Sequence, residues 1–324
     1  MKRGSRDNAK VSAASLSVAS NTMLIVLKTA SGIAMGSISM ISEAAHSGVD
    51  LVAAVIAFFS VRTSGKPADK DHPFGHGKIE NLSGAVEALL IFLAAGWIVI
   101  EAVGRIMHPS PVTAVGWGVI VMLASCLVNL AVSHRLFTVG KKTKSLALVA
   151  DAWHLRTDVY TSAAVMFALG VIWAGHQVTP AIDLHWVDPA AALVVSVLIL
   201  RAAWDLTLKS ARDLLDSTLP EREMSRIRDL ILKKFPDVHG FHKLKARRSG
   251  HVRFVEFHMV VNPEMSVDHS HRITDDITRE IKDLFPDTVV TIHVEPCDGR
   301  CDRECEENCG LSEESRHARS QQER

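Results

Sequence analysis

Six long apolar runs dominate the first 210 of the 324 residues, and they restrict this chain to a membrane fold. They fall at roughly residues 11–34, 38–62, 81–107, 112–138, 145–174 and 187–209. Each is long enough for the ~20 residues that cross a bilayer. Backbone polar groups in lipid must be satisfied within the segment, so runs of this kind read as helices. Whole-chain averages of 48% hydrophobic and 22% charged residues conceal the pattern. Beyond about residue 210 the chain becomes charged and is patterned like a water-soluble domain. The expected division is a six-span membrane domain over 1–210, a second domain over 211–297 and a polar, Cys-containing tail over 298–324.

Basic residues set the orientation. Lys2, Arg3, Arg6 and Lys10 precede the first run. Arg62, Lys66, Lys70 and Lys78 lie between the second and third, and Arg135, Lys141, Lys142 and Lys144 between the fourth and fifth. The alternate loops are nearly bare, with Arg105 close to one of them. Cytosolic loops carry the Lys/Arg excess, so both termini are expected in the cytosol. Trp117, Trp173 and Trp186 then fall near the far interface. The formal net charge of zero gives no support for a nucleic-acid partner.

Polar residues inside the apolar runs carry the chemistry. The second run holds His46 and Asp50, and the fifth holds His154 and Asp158. Residues four apart share a helix face. A carboxylate near the bilayer centre costs roughly 2.5–3.5 kcal/mol on insertion scales, so such a residue implies compensation. One pair alone reads as a structural Asp–His contact between helices. Two matched pairs read as a site, because two imidazoles and two carboxylates complete the tetrahedron that zinc prefers. Glu43 and Asp151 each lie three residues before a His of these pairs; they read either as groups orienting the rings or as packing contacts. Arg156 lies off the shared face. Between the second and third runs, Asp69, His72 and His76 sit in the loop Asp69-Lys70-Asp71-His72-Pro73-Phe74-Gly75-His76-Gly77-Lys78. That loop reads either as a metal-binding segment at the cytosolic mouth or as a solvated turn.

In the second domain, apolar residues recur at helical spacing over 221–234 and 266–284. Residues 242–248 and 251–261 read as strands around a Ser249-Gly250 turn, and 288–295 as a third. The order αββαβ suits a small open sheet with helices on one face. It contains no phosphate-binding Gly loop or nucleophile motif, which argues against an enzyme. His293 and Glu295, two apart on a strand, leave the same face. Cys297, Cys301, Cys305 and Cys309 recur every four residues. On a helix they would form one stripe, and four thiolates are a candidate zinc site. Reduced thiols in a polar tail fit the spacing equally well.

The paired HxxxD motifs, the DHPFGHGKIE loop and the C-terminal pattern together strongly resemble the cation diffusion facilitator family, up to about residue 297. The resemblance implies a membrane all-α six-helix bundle with a cytosolic α+β ferredoxin-like (αββαβ) domain. It implies a homodimeric, proton-coupled exporter of divalent transition metal, in a multi-pass membrane setting such as a bacterial inner membrane. By resemblance, His46, Asp50, His154 and Asp158 form the transport site, and Asp69, His72 and His76 the loop site. His242, His258, His271, His293 and Glu295 match a regulatory metal cluster, with Glu295 where the family commonly has Asp. Lys78 and Asp216 match charges linking the two domains. Two His with two Asp resemble the zinc-preferring type, so Zn2+ is the expected substrate and a candidate regulatory ligand. Iron(II), cobalt(II), manganese(II) and cadmium are the alternatives, since affinity order alone does not fix selectivity. A membrane metal sensor that transports nothing is the competing reading from another class.

Overall fold

The computed structural model describes residues 3–35, 38–107, 116–178, 186–298 and 303–312. The chain divides into two compact units, Met1–Leu214 and Leu215–Arg324. The first contains α1 (Arg3–Met35), α2 (Ile38–Ser64), α3 (Lys78–Met107), α4 (Gly116–Thr143), α5 (Leu146–Val178) and α6 (Val187–Leu214).

These helices are patterned inside out. Along α1, Lys10, Ala14, Ser17, Asn21, Leu24 and Lys28 are buried, and their alternating spacings of four and three make one stripe. Leu16, Met23, Val26, Leu27 and Ile33 lie exposed on the outer surface. In α3, Glu80, Glu87, Ala88, Ile91 and Ala95 face inward, while Leu82, Leu89, Leu93, Trp97 and Ile100 face outward. A water-soluble helix would reverse this arrangement. Small residues let the backbones approach. A Cβ at Gly84 would stand 3.0 Å from Ser210 Oγ of α6, and one at Gly140 3.0 Å from Val149 Cγ2 of α5.

Two buried clusters form. One joins α1, α2, α4 and α5 through Ala14, Val61, Leu136, Leu148 and Leu155. The other joins α3, α5 and α6 through Ala88, Ile91, Ala150, Ile199 and Leu206. α5 belongs to both, so it sits centrally. Among the described residues, α1, α2, α3, α4 and α6 each contain a stretch long and apolar enough to cross a membrane. α5 carries Asp151, Arg156 and Asp158 within its first turns, polar groups that its central position lets face protein. The helices overrun several of the expected limits; α6 continues to Leu214 and α4 to Thr143. Residues 108–115 and the side chains of Trp117, Trp173, Arg105 and Glu43 lie outside the described residues, whereas Trp186 is exposed.

The second unit contains α7 (Glu221–Lys234), β1 (Gly240–Ser249), β2 (Val252–Val261), α8 (Val267–Leu284), β3 (Thr288–Pro296) and the short α9 (Arg303–Glu307). The αββαβ order is as expected. The sheet runs β1-β2-β3, antiparallel then parallel. Gly250 turns the hairpin at a φ of 57°. Ser266 caps α8, its hydroxyl accepting from the His269 N–H at 3.2 Å. Ile227 and Ile231 of α7 and Ile273, Ile277 and Ile281 of α8 bury one sheet face with Phe241, Phe257 and Met259. The other face is left for polar side chains.

Candidate metal centres

In the first unit, α2 and α5 bring the paired motifs together. Asp50 Oδ1 lies 3.0 Å from His154 Nε2 and 4.0 Å from His46 Nε2. His46 Nε2 is also 3.8 Å from Asp158 Oδ1. Ligand atoms of His46, Asp50 and Asp158 all fall within 4.8 Å of one another. His154 adjoins this trio through Asp50. Asp50 and His154 are almost fully enclosed, Asp158 is partly so, and His46 is half exposed. His154 Nδ1 and Asp158 Oδ2 are buried without a hydrogen-bond partner among the described residues. Imidazole nitrogens and carboxylate oxygens converging in this way are a donor set suited to a borderline divalent ion. Asp151, one turn before His154, is completely buried.

The loop residues form a second cluster. The Asp69 carboxylate accepts from the backbone N–H of His72 at 2.7 Å and of Asp71 at 3.1 Å. Its oxygens lie 3.4 Å from His72 Nδ1 and 3.2 Å from His76 Nε2. The two imidazole centroids are 4.4 Å apart. Gly75, at a φ of 81°, makes the turn that folds His76 back toward Asp69. The His72 N–H, aided by the two imidazoles, holds the Asp69 carboxyl below its ordinary value. His76 is buried, whereas Asp69 and His72 are exposed.

The third cluster stands on the polar face of the sheet. Strand register aligns His242 with His258 and His258 with His293, in one row across three strands. Glu295 reaches back to all three. Its Oε2 lies 2.8 Å from His242 Nε2, and its Oε1 lies 2.7 Å from His258 Nδ1 and 3.4 Å from His293 Nε2. Burial pushes the Glu295 carboxyl up, but the hydrogen bonds from His242 and His258 outweigh it and leave the group below its ordinary value. His242, His258 and Glu295 make the compact trio. His271 on α8 stands apart from it, exposed and 3.7 Å from Asp275, on the rim of an open cleft of about 430 Å³ that also includes Glu295.

The cysteines do not form a helical stripe. Cys297 follows β3, Cys305 is buried on α9, and Cys309 lies in a bridge to Gly240. α9 stops at Glu307 because the following residues turn to run along β1. Cys301 lies outside the described residues. Among the described residues no cysteine joins a compact metal-ligand group. Lys78 donates to the Leu214 carbonyl at 3.4 Å, and Asp216 accepts from Arg247 at 3.2 Å. Sequence reasoning missed a buried ion pair, Lys10 Nζ to Glu80 Oε1 at 2.8 Å, joined by the Ser64 hydroxyl at 2.6 Å. Lys10 continues the small and polar stripe of α1, and that periodicity was the available signal.

The helical unit with its converging His and Asp side chains is followed by a small αββαβ domain, and the family match places the chain among transporters, not enzymes. The chain belongs to the cation efflux family: residues 14–215 match its transmembrane domain and residues 219–297 its cytoplasmic, dimer-forming domain. It is therefore a multi-pass membrane protein whose C-terminal domain is cytoplasmic. It is similar to the uncharacterized transporter sll1263 of Synechocystis, at 32% identity over 87% of this chain and 88% of the relative. It is also similar to the cation-efflux pump FieF of Escherichia coli, at 30% identity over 88% of this chain and 92% of the relative. A solved structure of CzrB in its zinc form is 38% identical over 27% of this chain and 99% of that one, with a TM-score of 0.26.

Proposed function

We propose that this protein exports a divalent transition metal, with zinc as the best-matched substrate, from the cytosol in exchange for protons. The observation that carries the reading is the convergence of His46, Asp50 and Asp158, with His154 at Asp50, inside the helical unit. Two imidazoles and two carboxylates suit zinc better than harder ions, which favour all-oxygen sites. The bacterial relatives support a bacterial inner membrane as the location, with both termini in the cytosol.

Exchange follows from ligand chemistry. Imidazole and carboxylate groups must shed protons before they bind metal. When the centre faces the cytosol, metal displaces those protons. When it faces outward, protons compete the metal off, and an inward proton gradient makes the cycle directional. The Asp69–His72–His76 loop would collect metal at the cytosolic mouth. Residues 211–297 would regulate and dimerise, with the Cys-containing polar tail following from 298. Metal at His242, His258, His293 and Glu295 biases transport only if it binds the two states unequally.

The test is proton-driven uptake into reconstituted vesicles of zinc, cadmium, iron(II), cobalt(II) and manganese(II), with His46→Asp beside the parent. The expected result is zinc-selective flux that broadens to cadmium in the variant. Absence of any metal flux under a proton gradient would turn the assignment to a sensor.

A further inference from the structure

The compact cytosolic trio sits beside a distortion in β1. Pairing with β2 slips between His242 and Lys245, and Lys243 sits in the left-handed region at a φ of 52°. A bulge of this kind re-aims a neighbouring side chain. A non-glycine residue in that conformation costs about 1–3 kcal/mol and persists only where its surroundings hold it. β1 is an edge strand, so the sheet supports it from one side only.

The second support is the C-terminal segment 303–310. It meets β1 on both sides of His242. Two residues before it, Gly240 bridges Cys309, while Gly310 donates to the neighbouring His239 carbonyl at 2.7 Å. Two residues after it, the Leu244 N–H donates to Glu304 Oε1 at 3.2 Å. Cys305, on the same turn as Glu304, is 8% exposed. The fit is close at Gly240, where a Cβ would stand 2.9 Å from the Asn308 carbonyl oxygen. That approach leaves room for glycine alone.

We propose that segment 303–310 is a strap whose docking holds the β1 bulge, aims His242 at Glu295 and thereby sets the metal affinity of the cytosolic centre. Cys305 is its buried anchor, a positioning role rather than a ligand role. The proposal rests on metal binding at His242, His258 and Glu295. A simple edge cover would also use such a strap, but it would leave metal affinity unchanged.

The test uses the full chain in detergent, carrying Asp50→Ala and Asp158→Ala to silence the membrane centre. Zinc binding is measured by calorimetry, and the component lost on a further His242→Ala substitution is assigned to the cytosolic centre. Glu304 is exposed, so its substitution spares the fold. Glu304→Ala is expected to weaken the His242-dependent component about 10-fold, the usual scale for groups that orient ligands. Glu304→Gln, which keeps the accepting oxygen, should stay near the parent. Gly240→Val should weaken binding at least as much and speed iodoacetamide labelling of Cys305. By reciprocity, zinc should slow that labelling in the parent but not in His242→Ala. Unchanged affinity in both Glu304→Ala and Gly240→Val would reduce the strap to an edge cover. Zinc protection of Cys305 that survives His242→Ala would make the thiol a ligand and overturn the proposal. A parent with no His242-dependent component overturns the cytosolic centre itself, and the strap with it.

Discussion

Lys10 and Glu80 offer a quantitative test of how the membrane unit is held together. Their side chains are 1% and 0% exposed and meet at 2.8 Å, with the Ser64 hydroxyl donating to the same oxygen at 2.6 Å. The second Glu80 oxygen has no hydrogen-bond partner among the described residues. Removing Lys10 therefore strands a buried carboxylate with one neutral donor. Breaking a buried pair from one side typically costs about 3–5 kcal/mol. Lys10→Ala should thus shift the folding equilibrium by roughly two to three and a half powers of ten. Replacing both partners by methionine removes the charges together and should leave stability within about 2 kcal/mol of the parent, or above it. Reversible unfolding in mixed micelles, followed by circular dichroism for the parent, Lys10→Met, Glu80→Met and the double, measures the coupling. Single variants within ~1 kcal/mol of the parent would refute the reasoning, as would a double variant as damaged as the sum of the singles.

Other positions make simpler statements. Ile277→Ala, in the fully buried core between α8 and the sheet, should cost about 2–5 kcal/mol by denaturant unfolding of the full chain. Ser266→Ala should cost about 1 kcal/mol through the lost α8 cap, with Ser266→Asp close to the parent. Gly140→Leu should impair assembly of α4 on α5, because even a Cβ would meet Val149 and Leu148 at 3.0–3.2 Å; the expected sign is early elution or aggregation on gel filtration. Asp50→Ala should abolish metal flux while leaving dimers intact, read by vesicle uptake and by light scattering.

Long apolar runs and their basic flanks revealed the membrane helices, because a bilayer imposes length and sidedness on any span. α5 carries Asp151, Arg156 and Asp158 near its start, and both buried clusters pack against that part of the helix. The i, i+4 spacing placed His46 with Asp50 and His154 with Asp158 on single faces, and the fold brings the two faces together at Asp50. Period-two spacing put His293 and Glu295 on one sheet face, yet it gave no sign that His271 stands apart, since α8 docks through its isoleucines. The bulge at Lys243 was not legible either. The slip between His242 and Lys245 shows only in the pairing of β1 with β2. The spacing of four left the cysteines open between a helical stripe and a tail of reduced thiols; among the described residues α9 ends at Glu307, so Cys309 lies beyond it. Lys10 reads as a cytosolic flank by its charge, while its four-residue spacing from Ala14 places it in the buried stripe of α1.

The most direct measurement follows zinc and proton movement together in the same vesicles, for the parent and for Asp158→Ala. Exchange at the His46, Asp50, His154 and Asp158 centre requires that zinc flux in the parent be matched by opposite proton movement, and that both vanish in the variant while its dimers persist. Zinc flux retained in Asp158→Ala, or zinc flux in the parent without proton counter-movement, would contradict the proposed centre or its coupling.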